Sequence, residues 1–415
     1  MSSSQPTTIL RSFVCHHTDD MWKVKPPLVF PKEGRYRPIL ESLAPPDPMS
    51  QFNLRRGSPE EEFPDLARNH TWMGQILTPA LYNRQFNRCT ESGVIFDDVI
   101  RPGLEEPGEF SGPMTVGCIA GDAQSYILFC DFFDRVIEAF HGQKVSVQTP
   151  ESDFNYDNLK GGDDLDRSYA VRCEVSVVRG IEEFCFPTHC SRGERRQLLT
   201  LARKALQRLQ DELPGHLLLL EELNQEQQRE LNLDLDLPSS SQLRTGVARD
   251  WPDSRAVWAS KDGSLVVWIN MEDHLRLVST RDDTNIAEAF KCICINLQKL
   301  EEYYKALRHP FIWKQQLGWV TSSPADVGTG LRITVHVKLQ HFPKHKRLQD
   351  VLKRLRIRMD PTESPALYCV SNMATFGPSE VELTQVVVDG VKLLIAMEKR
   401  LEGGRDIDDI VPAQK

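Results

Sequence analysis

The stretch Leu331-Arg332-Ile333-Thr334-Val335-His336-Val337-Lys338-Leu339 decides the fold. Its apolar residues alternate with Arg332, Thr334, His336 and Lys338, the period of two that marks a strand buried on one face only. A second stretch behaves alike: Val171, Cys173, Val175 and Val177 alternate with Arg172, Glu174, Ser176 and Val178, and Ser264-Leu265-Val266-Val267-Trp268-Ile269 reads as a third strand. Between and after them lie helices whose starts are written in the chain. Ser191-x-x-Glu194, Asn285-x-x-Glu288 and Ser379-x-x-Glu382 all have capping-box spacing. The helix from Asn285 sets Ile286, Phe290, Ile293, Leu297, Leu300, Tyr304 and Leu307 on one face and stops before Pro310. The last helix runs from Ser379 past Met397 to Leu401 and ends at Gly403-Gly404. Strands and helices packed as layers make the class α+β.

Outward from this region the patterning changes. Short helical segments from Pro59 to about residue 142 suggest a small helical domain, followed by the polar link Gln148-Thr149-Pro150-Glu151-Ser152-Asp153. Residues 1 to 58 hold 8 of the 26 prolines and carry 8 Lys+Arg against 5 Asp+Glu. Proline fixes φ and lacks a donor, so these residues sustain neither helix nor central strand. The expected organisation is a proline-rich arm over 1–56, flexible and with an unknown protein partner, a helical domain over 57–144, a linker over 145–168 and the sheet domain over 169–415.

Composition bounds the function classes. The chain has 415 residues, 40% apolar and 26% charged, too apolar for a disordered chain. Its 50 Lys+Arg against 59 Asp+Glu leave a net charge of −9, which argues against nucleic acid or an anionic membrane as the main partner. No run approaches the roughly 18 apolar residues of a membrane span. The N-terminus has no apolar signal core, and Asp19 and Asp20 break any presequence pattern, so a cytoplasmic location is expected. Ten cysteines without a CxxC pair predict no disulfides there. Cys185, His189 and Cys190 lack the second ligand pair of a metal site, and no protein-bound metal is expected.

Three segments carry residues suited to chemistry. Asn270-Met271-Glu272-Asp273-His274-Leu275-Arg276 gathers acid, imidazole and guanidinium directly after a strand, although a solvated charged loop would look the same. Asp326-Val327-Gly328-Thr329-Gly330-Leu331-Arg332 is a glycine turn feeding a strand on which Arg332, Thr334, His336 and Lys338 share a face. Asn158-Leu159-Lys160-Gly161-Gly162-Asp163-Asp164-Leu165-Asp166 is an acidic turn that matches no calcium-loop spacing.

In order, these segments resemble the phosphagen kinases (ATP:guanidino phosphotransferases), most closely the creatine kinases, over residues 57 to 415. Further motifs carry the resemblance: Glu60-Glu61-Glu62-Phe63-Pro64-Asp65-Leu66, Met114-Thr115-Val116-Gly117-Cys118, His189-Cys190-Ser191-Arg192-Gly193-Glu194-Arg195-Arg196, Ala248-Arg249-Asp250-Trp251-Pro252-Asp253, and the tail Ile407-Asp408-Asp409-Ile410-Val411-Pro412-Ala413-Gln414-Lys415. The resemblance implies a small helical N-terminal domain and an antiparallel sheet domain flanked by helices. These close over MgATP or MgADP and creatine or another guanidino substrate. Arg192 to Arg196 and Trp251 match segments near the family's homodimer contact, although Trp251 also reads as core. Phosphoryl transfer depends on alignment and on cations around the phosphate oxygens, which suits the arginine fork. Arg276 and Arg332 match two phosphate arginines, and His336 matches a residue beside the nucleotide. Glu272 matches the carboxylate that orients and can deprotonate the guanidinium, and Val116 matches a residue that touches creatine.

The departures decide how that resemblance is read. The family strand Ser-Ser-Arg-Val-Arg is here Arg172-Cys173-Glu174-Val175-Ser176. A third phosphate arginine, opening a glycine-rich mobile loop, aligns with Asp360, and that loop is here the shorter, stiffer Asp360-Pro361-Thr362-Glu363-Ser364-Pro365. Cys369 stands at an aspartate position, Ser323 at that of the reactive cysteine, Met271 at that of an acid and Ala259 at that of a nucleotide-side histidine. Three cations become two acids and a hydroxyl. Such an arginine is worth roughly 10³ to 10⁵ in rate, so the expectation is transfer lost or very weak. The alternative is an active kinase in which Arg172 and Arg358, two residues before Glu174 and Asp360, swing inward beside Arg276 and Arg332. Each retained residue also has a plainer reading. Arg276 and Arg332 can serve as partners of Glu174 and Asp360, Glu272 with Arg276 as a strand-end pair, His336 as a core imidazole, and Gly328-Thr329-Gly330 as backbone geometry.

Overall fold

The structure is a computed structural model and describes residues 57–110, 112–145, 152–224 and 237–413. The arm over 1–56, most of the polar link at Gln148–Asp153 and the last two residues of the tail lie outside the described residues. The chain divides into two compact units, Met1–Glu62 and Phe63–Lys415. In the first, Pro59–Glu62 forms a single helical turn, α1.

The second unit begins with short helices: α2 (Trp72–Ile76), α3 (Pro79–Gln85), α4 (Phe96–Glu105), α5 (Ser125–Leu128) and α6 (Cys130–His141). Thr71 and Thr78 cap the first two, each hydroxyl accepting an N–H three residues on. They close around an aromatic core in which Phe96 meets Phe132 edge-on at 5.1 Å and Tyr126 meets Phe133 at 4.5 Å. Gly142 ends α6 in the left-handed region.

The sheet has eight strands: β1 (Ala170–Arg179), β2 (Gly215–Leu219), β3 (Ala256–Ser260), β4 (Val266–Ile269), β5 (Leu275–Arg281), β8 (Leu331–Lys338), β9 (Ile357–Pro361) and β10 (Leu367–Asn372). A separate hairpin pairs β6 (Trp313–Lys314) with β7 (Gly318–Trp319). The large sheet runs β2-β3-β4-β5-β1-β8-β10-β9, and every pairing is antiparallel. The remaining helices are α7 (Arg192–Leu209), α8 (Ser240–Arg244), α9 (Ile286–Ala306), α10 (Leu348–Leu355) and α11 (Glu380–Glu402). Helix α9 packs on β1 and β5, and α11 on β8 and β10. They bury Cys173, Val175, Val177, Ile333, Val335 and Val337. The alternate residues therefore form the sheet's other face. This is the α+β architecture that the sequence predicts, a helical part followed by an antiparallel sheet flanked by helices. Among the described residues no helix is long and apolar enough to cross a membrane.

Local expectations meet the structure unevenly. The reciprocal box forms at Ser191–Glu194 and at Ser379–Glu382. At Asn285 only half forms: its side chain accepts from Glu288 N, while its own N–H goes to Asp283 Oδ1 at 3.1 Å, so that carboxylate takes the place expected of Glu288. The third strand starts at Val266, because Ser264 is held in a turn by Asp262. Asp360 does not open a loop. It lies inside β9 opposite Cys369, and a hairpin joins β9 to β10, with Thr362 N donating to Leu367 O and Leu367 N to Ser364 O, each at 3.2 Å. One long-range contact fixes α11 to the chain after β8: buried Glu398 accepts from the backbone N–H groups of Gln340, His341 and Phe342 at 2.6, 2.8 and 2.7 Å.

Candidate functional site

Strand register assembles the site. Glu174 lies opposite Thr280 and Thr334, Ser176 opposite Val278 and Arg332, and Arg172 opposite His336, which faces Cys369, which faces Asp360. Arg276 shares this face on β5, and Arg358 shares it on β9. Arg172, Glu174, Ser176, Arg276, Arg332, His336, Arg358, Asp360 and Cys369 thus occupy one side of the sheet.

Each of the four arginines has a carboxylate within ion-pair distance. Arg276 Nη2 lies 3.3 Å from Glu174 Oε1, and Arg332 Nη2 lies 3.2 Å from Asp326 Oδ1. Arg358 Nε lies 2.6 Å from Asp360 Oδ2, and Arg172 Nε lies 3.7 Å from Asp282 Oδ1. The Arg276–Glu174 pair follows one plain reading of the sequence, so Arg276 is turned to Glu174 and not to Glu272. The pair between Arg332 and Asp360 does not form. Register places Asp360 in the row of His336, four residues along β8 from Arg332, while the glycine turn folds Asp326 back onto Arg332. Gly328 and Gly330 both have positive φ, and a Cβ on Gly328 would stand 2.6 Å from Thr375 O.

Two loops meet beside this face. Glu272 is exposed in the loop before β5, and Ser323 lies in a turn where its Oγ accepts from Ala325 N at 3.2 Å. They are joined by Asp273, whose Oδ2 accepts from Ser322 N at 3.0 Å and from Ser322 Oγ at 2.8 Å. The helical part adds Ala120 N donating to Ser322 O at 2.8 Å and Tyr126 OH donating to Thr321 O at 3.0 Å. Val116 is anchored through its carbonyl, which accepts from Met73 N at 3.0 Å. His274 is core: Nδ1 accepts from Ile181 N at 2.9 Å and Nε2 donates to Cys185 O at 2.8 Å. Burial pushes this imidazole down to about 4, so it stays neutral. Half-buried His336 is also pushed down, by burial and by Arg172, while burial with Asp360 and Glu174 nearby raises the Cys369 thiol.

Burial is also the main cause that raises the Asp273 carboxyl from 3.8 to about 7, with Asp326 adding and the Ser322 bonds opposing. The folded value exceeds the unfolded one. The stability from this group is therefore fully present below about pH 4 and lost as pH rises through about 7. Asp273→Asn, which keeps an acceptor for Ser322 and holds the neutral shape, should gain on wild type by about 1.4 kcal/mol per pH unit between pH 4 and 7. Denaturant unfolding at four pH values reads this directly, and parallel profiles would show that the carboxyl titrates normally.

Sequence reasoning singled out Glu272 and Ser323 but not the Asp273–Ser322 tie between their loops, nor Asp326 and Asp282 as arginine partners. For Asp326 a signal was present, since Gly328-Thr329-Gly330 folds the chain back within six residues of Arg332. Asp282 had none, because it depends on the β1–β5 register.

Comparison with known proteins places this arrangement. The family described as ATP:guanido phosphotransferase, N-terminal domain, matches residues 67–138, and ATP:guanido phosphotransferase, C-terminal catalytic domain, matches residues 197–401. Creatine kinase M-type of Rattus norvegicus is 44% identical over 367 residues, covering 86% of this chain and 96% of the relative. The Homo sapiens protein of that name gives the same identity and coverage. Among solved structures, a lombricine kinase superposes with a TM-score of 0.78 at 33% identity, covering 86% of this chain and 100% of that one. The duplicated taurocyamine kinase of Schistosoma mansoni shares the fold at a TM-score of 0.73 and 24% identity, covering 83% of this chain and 48% of that one. The matches run through both the helical part and the sheet that bears the four arginines, and the chain belongs to the ATP:guanido phosphotransferase family.

Proposed function

We propose that this creatine kinase-like chain has lost phosphoryl transfer or retains it only very weakly, and acts as a cytoplasmic, homodimeric binding or regulatory protein. We further assign the arm to 1–56, the helical domain to 57–144, the linker to 145–168 and the catalytic-type domain to 169–415. One observation supports the functional reading: Arg276 and Arg332, which by resemblance would meet phosphate, and their neighbours Arg172 and Arg358 on the same sheet face each have a carboxylate within ion-pair distance. A triphosphate reaching Arg276 would lie beside Glu174, which sits 3.3 Å from the guanidinium. Like charges set side by side oppose its binding. MgADP should therefore give no low-micromolar binding in calorimetry. ATP formation from phosphocreatine should run at least about 10³-fold below a muscle-type creatine kinase assayed alongside.

A second reading draws on the same register. Arg172 and Arg358 stand on the face of Arg276 and Arg332, so four guanidinium groups are available to MgATP if their acids rotate away. In that reading His336 lies beside the nucleotide and Glu272 is the base. Val116 touches creatine, Ser323 replaces the reactive cysteine, and the reaction is reversible transfer between MgATP and creatine. Tight MgADP binding together with turnover near that of the muscle-type enzyme would establish it and overturn the first.

A further inference from the structure

We infer that the basic stripe on α10 and the turn before it is a docking surface for an acidic segment of a partner protein. Residues 338–358 hold 8 Lys+Arg against one acid, a local charge of +7 in a chain whose remainder sums to −16. Three of these cations have carboxylates. Arg347 meets Asp350 and Asp408 at 2.9 and 2.6 Å, Arg354 meets Asp350 at 2.8 Å, and Arg358 meets Asp360 at 2.6 Å. Lys344, Lys346, Lys353 and Arg356 are exposed, and among the described residues no carboxylate lies within ion-pair distance of them. Asp406 of the tail feels the charge of Lys346, but its Oδ1 accepts from Ile407 N at 2.6 Å and from Asp408 N at 3.1 Å. Val351 and Leu352 are the buried side of α10. Exposed Gln349 and Lys353, one turn apart, form its outer face, with Lys346 and Arg356 beyond either end.

The fold does not account for this charge. A helix C-terminus favours cations, which suits Lys353 and Arg356, but an N-terminus disfavours them, and Lys344, Lys346 and Arg347 gather there. No side chain caps that end of α10, because Arg347 occupies the N-cap position. Asp350, the one acid of the first turn, is shared between Arg347 and Arg354. Carboxylates supplied from outside would offset the crowded cations and face the favourable end of the helix. The charge map also selects the kind of anion. Fields are screened over about 8 Å at physiological ionic strength, so a short acidic segment meets mainly the stripe. A nucleic-acid duplex or an anionic bilayer extends past it onto the acidic remainder. The segment offers bases little to stack on, since its one Phe, Tyr or Trp ring, that of Phe342, is buried. Clustered cations reading an acidic motif are a recurring mode of peptide recognition. The inference does not depend on whether phosphoryl transfer survives.

The test titrates the full chain into a fluorescein-labelled octa-glutamate peptide and follows anisotropy. A labelled DNA duplex is read in the same way, and phosphatidylserine vesicles are read by co-sedimentation. The expected result is saturable peptide binding that weakens as salt rises. Lys344→Gln, Lys346→Gln and Lys353→Gln together should weaken it at least tenfold. Arg203→Gln, Lys204→Gln and Lys261→Gln, which remove the same charge from exposed positions elsewhere, should change it less than twofold. Absence of binding, or an equal loss in the two triple variants, overturns the site. DNA or vesicles held more tightly than the peptide through the same lysines overturn the choice of an acidic segment. Lys346→Gln alone should unfold at a midpoint no lower than wild type, because its cation crowds a helix N-terminus. A fall of several degrees would make that lysine part of the fold and overturn the inference.

Discussion

The triple replacement Glu174→Arg, Ser176→Arg and Asp360→Arg will tighten MgADP binding by at least about 10²-fold over wild type. Two effects act in the same direction. Each new guanidinium can make a charge-assisted bond to phosphate, worth about 1.5–3 kcal/mol. Removing Glu174 and Asp360 also frees Arg276 and Arg358 from the acids that now hold them at 3.3 and 2.6 Å. A gain of about 3 kcal/mol, the equivalent of one or two such bonds, already gives that factor. Calorimetry reads the affinity. Adding Ser323→Cys should then recover measurable transfer in a coupled creatine assay. Unchanged MgADP affinity in the triple variant would show that the acids are not what keeps nucleotide out. Restored affinity without turnover would instead place the defect in the hairpin between β9 and β10, which is tied by its own hydrogen bonds.

Glu398→Ala will destabilise the fold by about 3–5 kcal/mol, a larger effect than any surface substitution. The carboxylate is 1% exposed and accepts three successive backbone N–H groups from Gln340, His341 and Phe342. Truncation strands three buried donors, each costing about 1–3 kcal/mol when unmet, with partial relief from relaxation. Glu398→Gln keeps one acceptor oxygen but turns an amide donor toward the N–H groups, so a loss of about 2–4 kcal/mol is expected. Denaturant unfolding measures both, and a loss below about 1 kcal/mol for Ala would mean that the turn after β8 is held by something else.

The fold was legible where a pattern is local. Alternation over Leu331–Leu339 gives β8, and the apolar stripe from Ile286 to Tyr304 is the buried face of α9. The serine boxes at Ser191 and Ser379 start helices as written, because N-cap, N3 and the intervening turn lie within four residues. What could not be read depends on register. Whether Asp360 reaches Arg332 or Arg358 turns on which residues oppose one another across three strands, and a one-residue slip would send every side chain to the other face. Asp283 could not be ranked against Glu288 as the acceptor for the Asn285 N–H, since both lie within reach in sequence. Glu398, 56 residues or more from its donors, left no mark on the local pattern.

The ion pairs on the sheet face carry one more consequence. In a kinase whose arginines await phosphate, the folded state draws stability from the nucleotide pool, and its lifetime follows the supply of ligand by mass action. Here the counter-charges are covalently part of the same polypeptide, at a local concentration that no metabolite can alter. On the proposed reading, thermal unfolding with and without MgADP should give the same midpoint, whereas a nucleotide-dependent rise would mean that the site still takes its ligand.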